Sequence, residues 1–210
     1  MLGFIKKDLS IIKSNLKIIL VLLLVYITLA ITDTMDIAFI IPFMSLMLMI
    51  STFSYDTYNK FDAYAATLPN GRKNSVKGKY LTTLILVISS AILITIITMA
   101  IAYFKEGVLD FEYTLMNMFG VIFATGILIT LLYPSMYKFG VEKARIGMFI
   151  IVFALAIIVG FMANFFDFAD IITKLDALEK YFMIILPLLL IASLYLSYFI
   201  SLKIYLSKEF

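Results

Sequence analysis

Cysteine, histidine and tryptophan are absent from the 210 residues, and proline is held to 4 and glycine to 9. Without cysteine there is no disulfide, no thiolate nucleophile, no iron–sulfur ligand and no lipobox residue for lipoprotein processing. Without histidine as well, the usual zinc sites, the Ser-His and Cys-His catalytic pairs and the near-neutral proton shuttle are excluded. Any chemistry falls to carboxylates, Lys, Arg, Tyr, Ser or Thr. Charge is also scarce, at 15% of residues, where a soluble domain carries about 25%. The formal net charge of +3 is too small to imply a nucleic-acid partner and becomes informative only when split by membrane side.

What the sequence has in abundance is apolar surface: 63% hydrophobic residues and a mean hydropathy of +1.07. Such a chain belongs in a bilayer. A hydrocarbon core about 30 Å thick takes roughly 20 apolar residues per helix, so this length allows about six spans with short loops and leaves no room for a separate soluble catalytic domain. Apolar runs without a central charge fall at 18–31, 37–53, 81–104, 114–133, 146–166 and 181–202. Barrel strands would alternate with a period of two, whereas 84–99 is apolar on every face. The first two runs are short for a full span, so they tilt little or borrow flanking residues. The expected fold is an all-α membrane protein: residues 1–17 form an amphipathic interfacial helix and 18–210 a six-helix transmembrane domain.

The loops set the orientation. With the N-terminus cytoplasmic, the inner segments carry Lys6, Lys7, Lys13 and Lys17, then Lys60, Arg72, Lys73, Lys77 and Lys79, then Lys138, Lys143 and Arg145, then Lys203 and Lys208, leaving only Lys105, Lys174 and Lys180 of the 17 basic residues outside. Nine of the 14 acidic residues (Asp33, Asp36, Glu106, Asp110, Glu112, Asp167, Asp170, Asp176 and Glu179) fall on the opposite side. This positive-inside bias predicts a multi-pass protein with both termini cytoplasmic. Tyr and Phe cluster at the expected boundaries, as an aromatic belt requires.

In the first seventeen residues, Leu2, Ile5, Leu9, Ile12 and Leu16 recur at spacings of three and four, with Lys6, Lys7, Ser10, Lys13, Ser14 and Lys17 on the other side. Such a helix lies in the interface plane, its lysines on anionic headgroups; a generic topogenic leader fits the same pattern. Thr28-Leu29-Ala30 is a poor small-x-small site, and the long basic region includes Asp8, which argues against a cleaved signal peptide.

None of the six runs has an Asp, Glu, Lys or Arg at its centre. An ion-driven carrier normally places a carboxylate ligand at the midplane, and a selective channel needs a filter-like loop. Energy for uphill work would therefore arrive from outside the chain. Ser193, Ser197 and Ser201 share one face of the last run, either as small-residue helix packing or as lining of a substrate cavity, with Ser193 and Ser197 the cavity candidates. Pro42 and Pro187 are expected to kink their helices.

The stretch 54–80 reads SYDTYNKFDAYAATLPNGRKNSVKGKY and is the longest cytoplasmic segment. Tyr55, Tyr58, Phe61, Ala65 and Leu68 form a stripe interleaved with Asp56, Lys60 and Asp62, which predicts one amphipathic helix over 56–68, ended by Pro69-Asn70-Gly71. Exposed Tyr and Phe among a few charges have the character of an interface core; a helix lying on the membrane surface is the other reading. The basic group Arg72, Lys73, Lys77 and Lys79 is expected to anchor the third span at the headgroups. A phosphate loop is excluded: Gly71 is followed by six residues before Gly78-Lys79-Tyr80, the wrong spacing and the wrong final residue, with no strand before it.

These residues bring a family into view. The Lys6-Lys7-Asp8 leader, the six runs and a loop of the form Tyr55-Asp56, Lys60-Phe61-Asp62-Ala63-Tyr64, Thr67-Leu68-Pro69, Arg72-Lys73, Val76 and Lys79-Tyr80-Leu81 resemble the small ABC-2 type permeases of Gram-positive bacteria, among them those of phenol-soluble modulin exporters. The resemblance spans essentially the whole chain, and its specific part is the loop. It implies a plasma-membrane permease, not itself an enzyme, that pairs with a second permease, as homodimer or heterodimer, and with two ABC ATPase subunits that bind ATP and Mg. By the same resemblance 56–68 is the coupling helix, with Asp56, Tyr58, Lys60, Phe61, Asp62, Tyr64 and Leu68 contacting the ATPase, and 2–16 is the elbow, with Lys6, Lys7, Lys13 and Lys17 on membrane lipid. The segment 134–145, with Tyr137, Lys138, Glu142 and Arg145, is a lesser second contact, and 167–180 a short reentrant hairpin. No cofactor is expected in this chain. Apolar walls, scattered hydroxyls and no fixed charge point to an amphipathic peptide as cargo, and the resemblance implies export of peptides of antimicrobial or toxin-like kind. The alternative is a non-transporting immunity or scaffold protein with the same topology.

Overall fold

The computed structural model describes residues 1–31, 40–106, 111–162 and 179–208, and among these every regular element is a helix. They are α1 (Leu2–Ile31), α2 (Ile40–Tyr58), α3 (Phe61–Thr67), α4 (Gly71–Glu106), α5 (Phe111–Phe139), α6 (Val141–Met162) and α7 (Glu179–Leu206). In lipid each backbone N–H and C=O must be paired within its own segment, and long runs of Leu, Ile, Met and Phe satisfy that as helix. Among the described residues three helical stretches are long and apolar enough to cross a membrane: Gly71–Phe104, Thr114–Phe139 and Ile185–Leu206. The expected spans at 18–31, 37–53 and 146–166 fall on α1, α2 and α6, with 37–39 and 163–166 outside the described residues. Asp33, Asp36, Asp110, Asp167, Asp170, Asp176 and Lys174 also lie outside them, as does most of the expected hairpin at 167–180.

The leader and the first apolar run are one unbroken helix, where an interfacial elbow ending at Lys17 was expected. Neither Gly nor Pro occurs between Phe4 and Ile31, so nothing in the backbone forces a turn there. The side of α1 turned inward also differs from the apolar stripe. Asp8 is 1% and Ile12 5% exposed, whereas Leu2 is 71% and Leu16 43% exposed. An ion pair made by Asp8, described below, decides which side faces in.

The segment 134–145 is a corner between two helices and not a loop. Helix α5 carries Pro134 inside it and runs on to Phe139, then Gly140 turns the chain at φ 86° and α6 starts at once. A side chain is strained at such a φ, and glycine is not. Of the four residues expected to make the lesser contact, Tyr137 is buried in the core, whereas Lys138, Glu142 and Arg145 are exposed.

Helix α5 packs against α4, α6, α7 and α2, while α4 touches α1, α2, α3 and α7. The core concentrates at the end of the bundle where the start of α1, the α2–α3–α4 turns, the α5–α6 corner and the end of α7 meet. There Phe53, Tyr80, Tyr133, Tyr137 and Tyr205 are buried together. Phe53 meets the edges of Tyr133 and Tyr137 at 5.1 and 5.3 Å, and Tyr80 meets Tyr133 at 4.8 Å, each pair stabilising by about 0.5–1.5 kcal/mol beyond its burial. Lipid is as apolar as these side chains, so helix association rests on such packing and on hydrogen bonds between helices. The Tyr80 hydroxyl bonds Ser197 Oγ at 2.7 Å and Ser201 Oγ at 2.9 Å, Ser197 Oγ donates to the Thr130 carbonyl at 2.9 Å, and Thr83 bonds the Tyr133 hydroxyl.

Candidate functional site

The short helix α3 lies at this end, packed on α2 and α4. It is preceded by Lys60 in the left-handed conformation, φ 50°, at a cost of about 1–2 kcal/mol for a residue with a Cβ. That residue breaks the helix expected over 56–68 into the last turn of α2 and a separate α3. Leu68 is extended, as the residue before Pro69 prefers, Asn70 is left-handed at φ 55°, and α4 begins at Gly71. The return is tight. A Cβ at Gly71 would lie 2.0 Å from the Ala65 carbonyl oxygen and 2.9 Å from Leu68 Cβ. Gly71→Ala is therefore expected to push α3 off α4 and destabilise the fold by about 1–3 kcal/mol, read as a lower melting midpoint in detergent.

The break sorts the seven expected contact residues. Tyr58 is 87% and Tyr64 58% exposed, and Lys60 is exposed beside them. Phe61, Asp62 and Leu68 are half-buried. Phe61 lies under the Phe4 ring at 5.8 Å, edge-on, with Lys7 Nζ 3.7 Å over its centre. Asp62 accepts a hydrogen bond from the Tyr205 hydroxyl at 2.8 Å. Asp56 is only 7% exposed and faces into the bundle.

Asp56 belongs to a buried cluster of four charges. Lys79 Nζ lies 2.7 Å from Asp56 Oδ2, 2.9 Å from Asp8 Oδ1 and 3.0 Å from Thr52 Oγ1. Lys7 Nζ pairs with Asp56 Oδ1 and stands 3.2 Å from Asp8 Oδ1. Phe53 lies beneath Lys79, with Nζ 4.8 Å from the ring centre. Two lysines and two aspartates balance, and the low exposure of Asp8 at 1% and Lys79 at 3% means that their charges are tolerated only as partners, since desolvation costs several kcal/mol per ion. The cluster ties α1, α2 and α4 together immediately behind α3.

This placement changes the reading of the lysines. Lys6, Lys13 and Lys17 are exposed along α1, but Lys7 turns inward to Asp56 rather than toward lipid headgroups. Of the expected headgroup anchor after the turn, Lys73 and Lys77 are exposed, whereas Lys79 is internal and Arg72 Nη1 donates to the carbonyls of Leu206 at 3.2 Å and Lys208 at 3.0 Å. Ser197 is buried between α4, α5 and α7 and bonded to Tyr80 and the Thr130 carbonyl; Ser193, half-buried, bonds the Leu190 carbonyl of its own helix at 2.9 Å.

Beneath α3 a cavity of about 120 Å³ is bounded by Asp56, Asp62, Lys79, Tyr137 and Lys208, among others. The Tyr137 hydroxyl is buried without a hydrogen-bond partner among the described residues. The volume admits water and nothing the size of a nucleotide. Among the described residues no group of acidic side chains converges as a metal site. What the arrangement offers is mechanical: an exposed aromatic tip at a short helix, backed by ion pairs.

Residues 3–206 match the family model described as ABC-2 family transporter protein. Neither the curated proteins nor the solved structures compared with the chain give a match.

Proposed function

The chain belongs to the ABC-2 family of transporter proteins, and on that premise we propose that it is the permease subunit of an ATP-driven exporter in which α3 and the last turn of α2 dock against a cytoplasmic ATPase. Family membership makes the chain a membrane transport component and implies an ABC ATPase as its partner. The proposed assembly has two such ATPases, which hold ATP and Mg, and a second permease, in a bacterial plasma membrane with both termini cytoplasmic. The observation that carries the docking surface is the pair Tyr58 and Tyr64, 87% and 58% exposed, on elements that the buried ions fasten from behind. An aromatic tip on a rigid mount is what a hot spot needs, because little ordering entropy is lost on contact.

In this mechanism ATP binding closes the ATPase pair, and the docked corner carries the movement into α2 and α4, which it joins directly. A ligand-driven change of this kind requires differential contacts in two states, and the ATPase supplies them. The proposed cargo is an amphipathic peptide. The stretches 81–104, 114–137 and 185–202 contain no Asp, Glu, Lys or Arg, so they offer apolar walls and hydroxyls and no fixed charge for a strongly ionic solute.

Affinity purification of the tagged protein from its native membrane in mild detergent, with identification of co-purifying chains and an ATP hydrolysis assay, tests this. A stoichiometric ATPase is expected. A protein that emerges alone and without ATPase activity after gentle crosslinking would favour an immunity or scaffold role instead.

A further inference from the structure

A seven-residue helix does not hold its shape alone, since nucleation is costly and so few turns cannot repay it. Helix α3 (Phe61–Thr67) has seven residues, a break on each side, and the external load of a partner in the proposed function. Its fastenings are therefore informative. On one side Phe61 is gripped by Phe4 and Lys7 of α1. On the other, Asp62 is held by the Tyr205 hydroxyl at 2.8 Å, reaching across 143 positions from the last turns of α7. Tyr205 is 1% exposed, and its ring packs on Tyr137 at 5.2 Å. The end of α7 is in turn fixed by Arg72 of α4, which bonds the carbonyls of Leu206 and Lys208. A tyrosine whose ring is buried and whose hydroxyl meets a half-exposed carboxylate transmits force between the two helices without needing to move itself.

We propose that Tyr205 is a positioning residue for energy coupling: by holding Asp62 it keeps α3 rigid against α7 and α4, so that movement of a docked ATPase is passed into the spans and not absorbed at the breaks around Lys60 and Asn70. This rests on the reading of α3 as the ATPase contact. It extends that reading from the exposed tip to the far end of the chain. The docking residues Tyr58 and Tyr64 are untouched by changes at Tyr205, so binding of the ATPase and transmission of its movement are separable.

The natural absence of cysteine allows a clean reporter. Ser89→Cys on the exposed side of α4, labelled with bimane in the complex with its ATPase, is compared without nucleotide and after trapping with ATP and vanadate. The unsubstituted background is expected to show a nucleotide-driven change in fluorescence. Tyr205→Phe keeps the ring and removes only the hydroxyl; the ATPase is expected to co-purify in the same amount while the nucleotide-driven change falls at least threefold. Asp62→Ala is expected to lower the nucleotide-driven change as well, and Asp62→Asn, whose amide oxygen still accepts from Tyr205, to restore it. An undiminished signal in Tyr205→Phe overturns the proposal, and so does loss of the ATPase together with the signal, which would make Tyr205 a folding residue only. If the background complex contains no ATPase, the docking reading fails first and the proposal with it.

Discussion

Lys79→Met is expected to destabilise the folded protein by about 3–5 kcal/mol, the usual cost of removing one partner from a buried ion pair. Lys79 joins Asp8 and Asp56 to Thr52 at once. Without it two carboxylates, 1% and 7% exposed, face one another with only Lys7 to share. The expected result is loss of the monodisperse peak on size exclusion in detergent and a collapse of the melting midpoint. Asp8→Leu added to Lys79→Met removes one charge of each sign, leaving Lys7 with Asp56. Because apolar replacement of a whole buried pair is often neutral, the double variant is expected to recover most of the loss, and the strong non-additivity between the two sites would identify them as neighbours in one network. Simple addition of the two effects would show that the cluster is not the joint described.

Tyr58→Asp and Tyr64→Asp are expected to release the ATPase without unfolding the permease. Both side chains are exposed, so neither change opens a cavity, and surface replacements away from buried contacts usually stay within about 0.5 kcal/mol in stability. A contact hot spot contributes about 2 kcal/mol or more to binding, so each change is expected to weaken the ATPase by about 30-fold and the pair to abolish co-purification. Phe61→Asp would be a poorer test, although the residue lies in the same stripe. Phe61 packs on Phe4 and Lys7, so a carboxylate there disturbs α1 as well as the tip. Retained ATPase in the folded double variant would move the docking surface elsewhere on this end.

How much of this was legible in the sequence follows from which interactions are local. The apolar runs that became α4, α5 and α7 are set by composition over about twenty residues, and lipid leaves helix as their only solution. The exposed corner was legible as a stripe of Tyr and Phe between charges, and Pro69-Asn70-Gly71 as its stop. The break inside that stripe was not, because Asn59 and Lys60 carry no Gly or Pro signal. The four-charge cluster joins residues 49 and 71 positions apart, a pairing that no periodicity encodes. Asp8, alone among the lysines of the leader, was the available sign that one face of α1 is not bathed in headgroups. Likewise Gly140, between Phe139 and Val141, was the sign that 134–145 is a corner, since a single glycine suffices where φ must be positive. The link from Tyr205 to Asp62 had no local trace at all.

The central claim, that the exposed corner is where an ATPase attaches, is tested most directly by proximity. Tyr58→Cys in this otherwise cysteine-free chain, treated in native membranes with a short photoactivatable thiol crosslinker, is predicted to give one dominant adduct whose partner is an ABC ATPase, with Phe139→Cys, exposed at the α5–α6 corner, giving much less. A Tyr58→Cys protein that yields only lipid adducts, while Phe139→Cys captures the ATPase, would contradict the account.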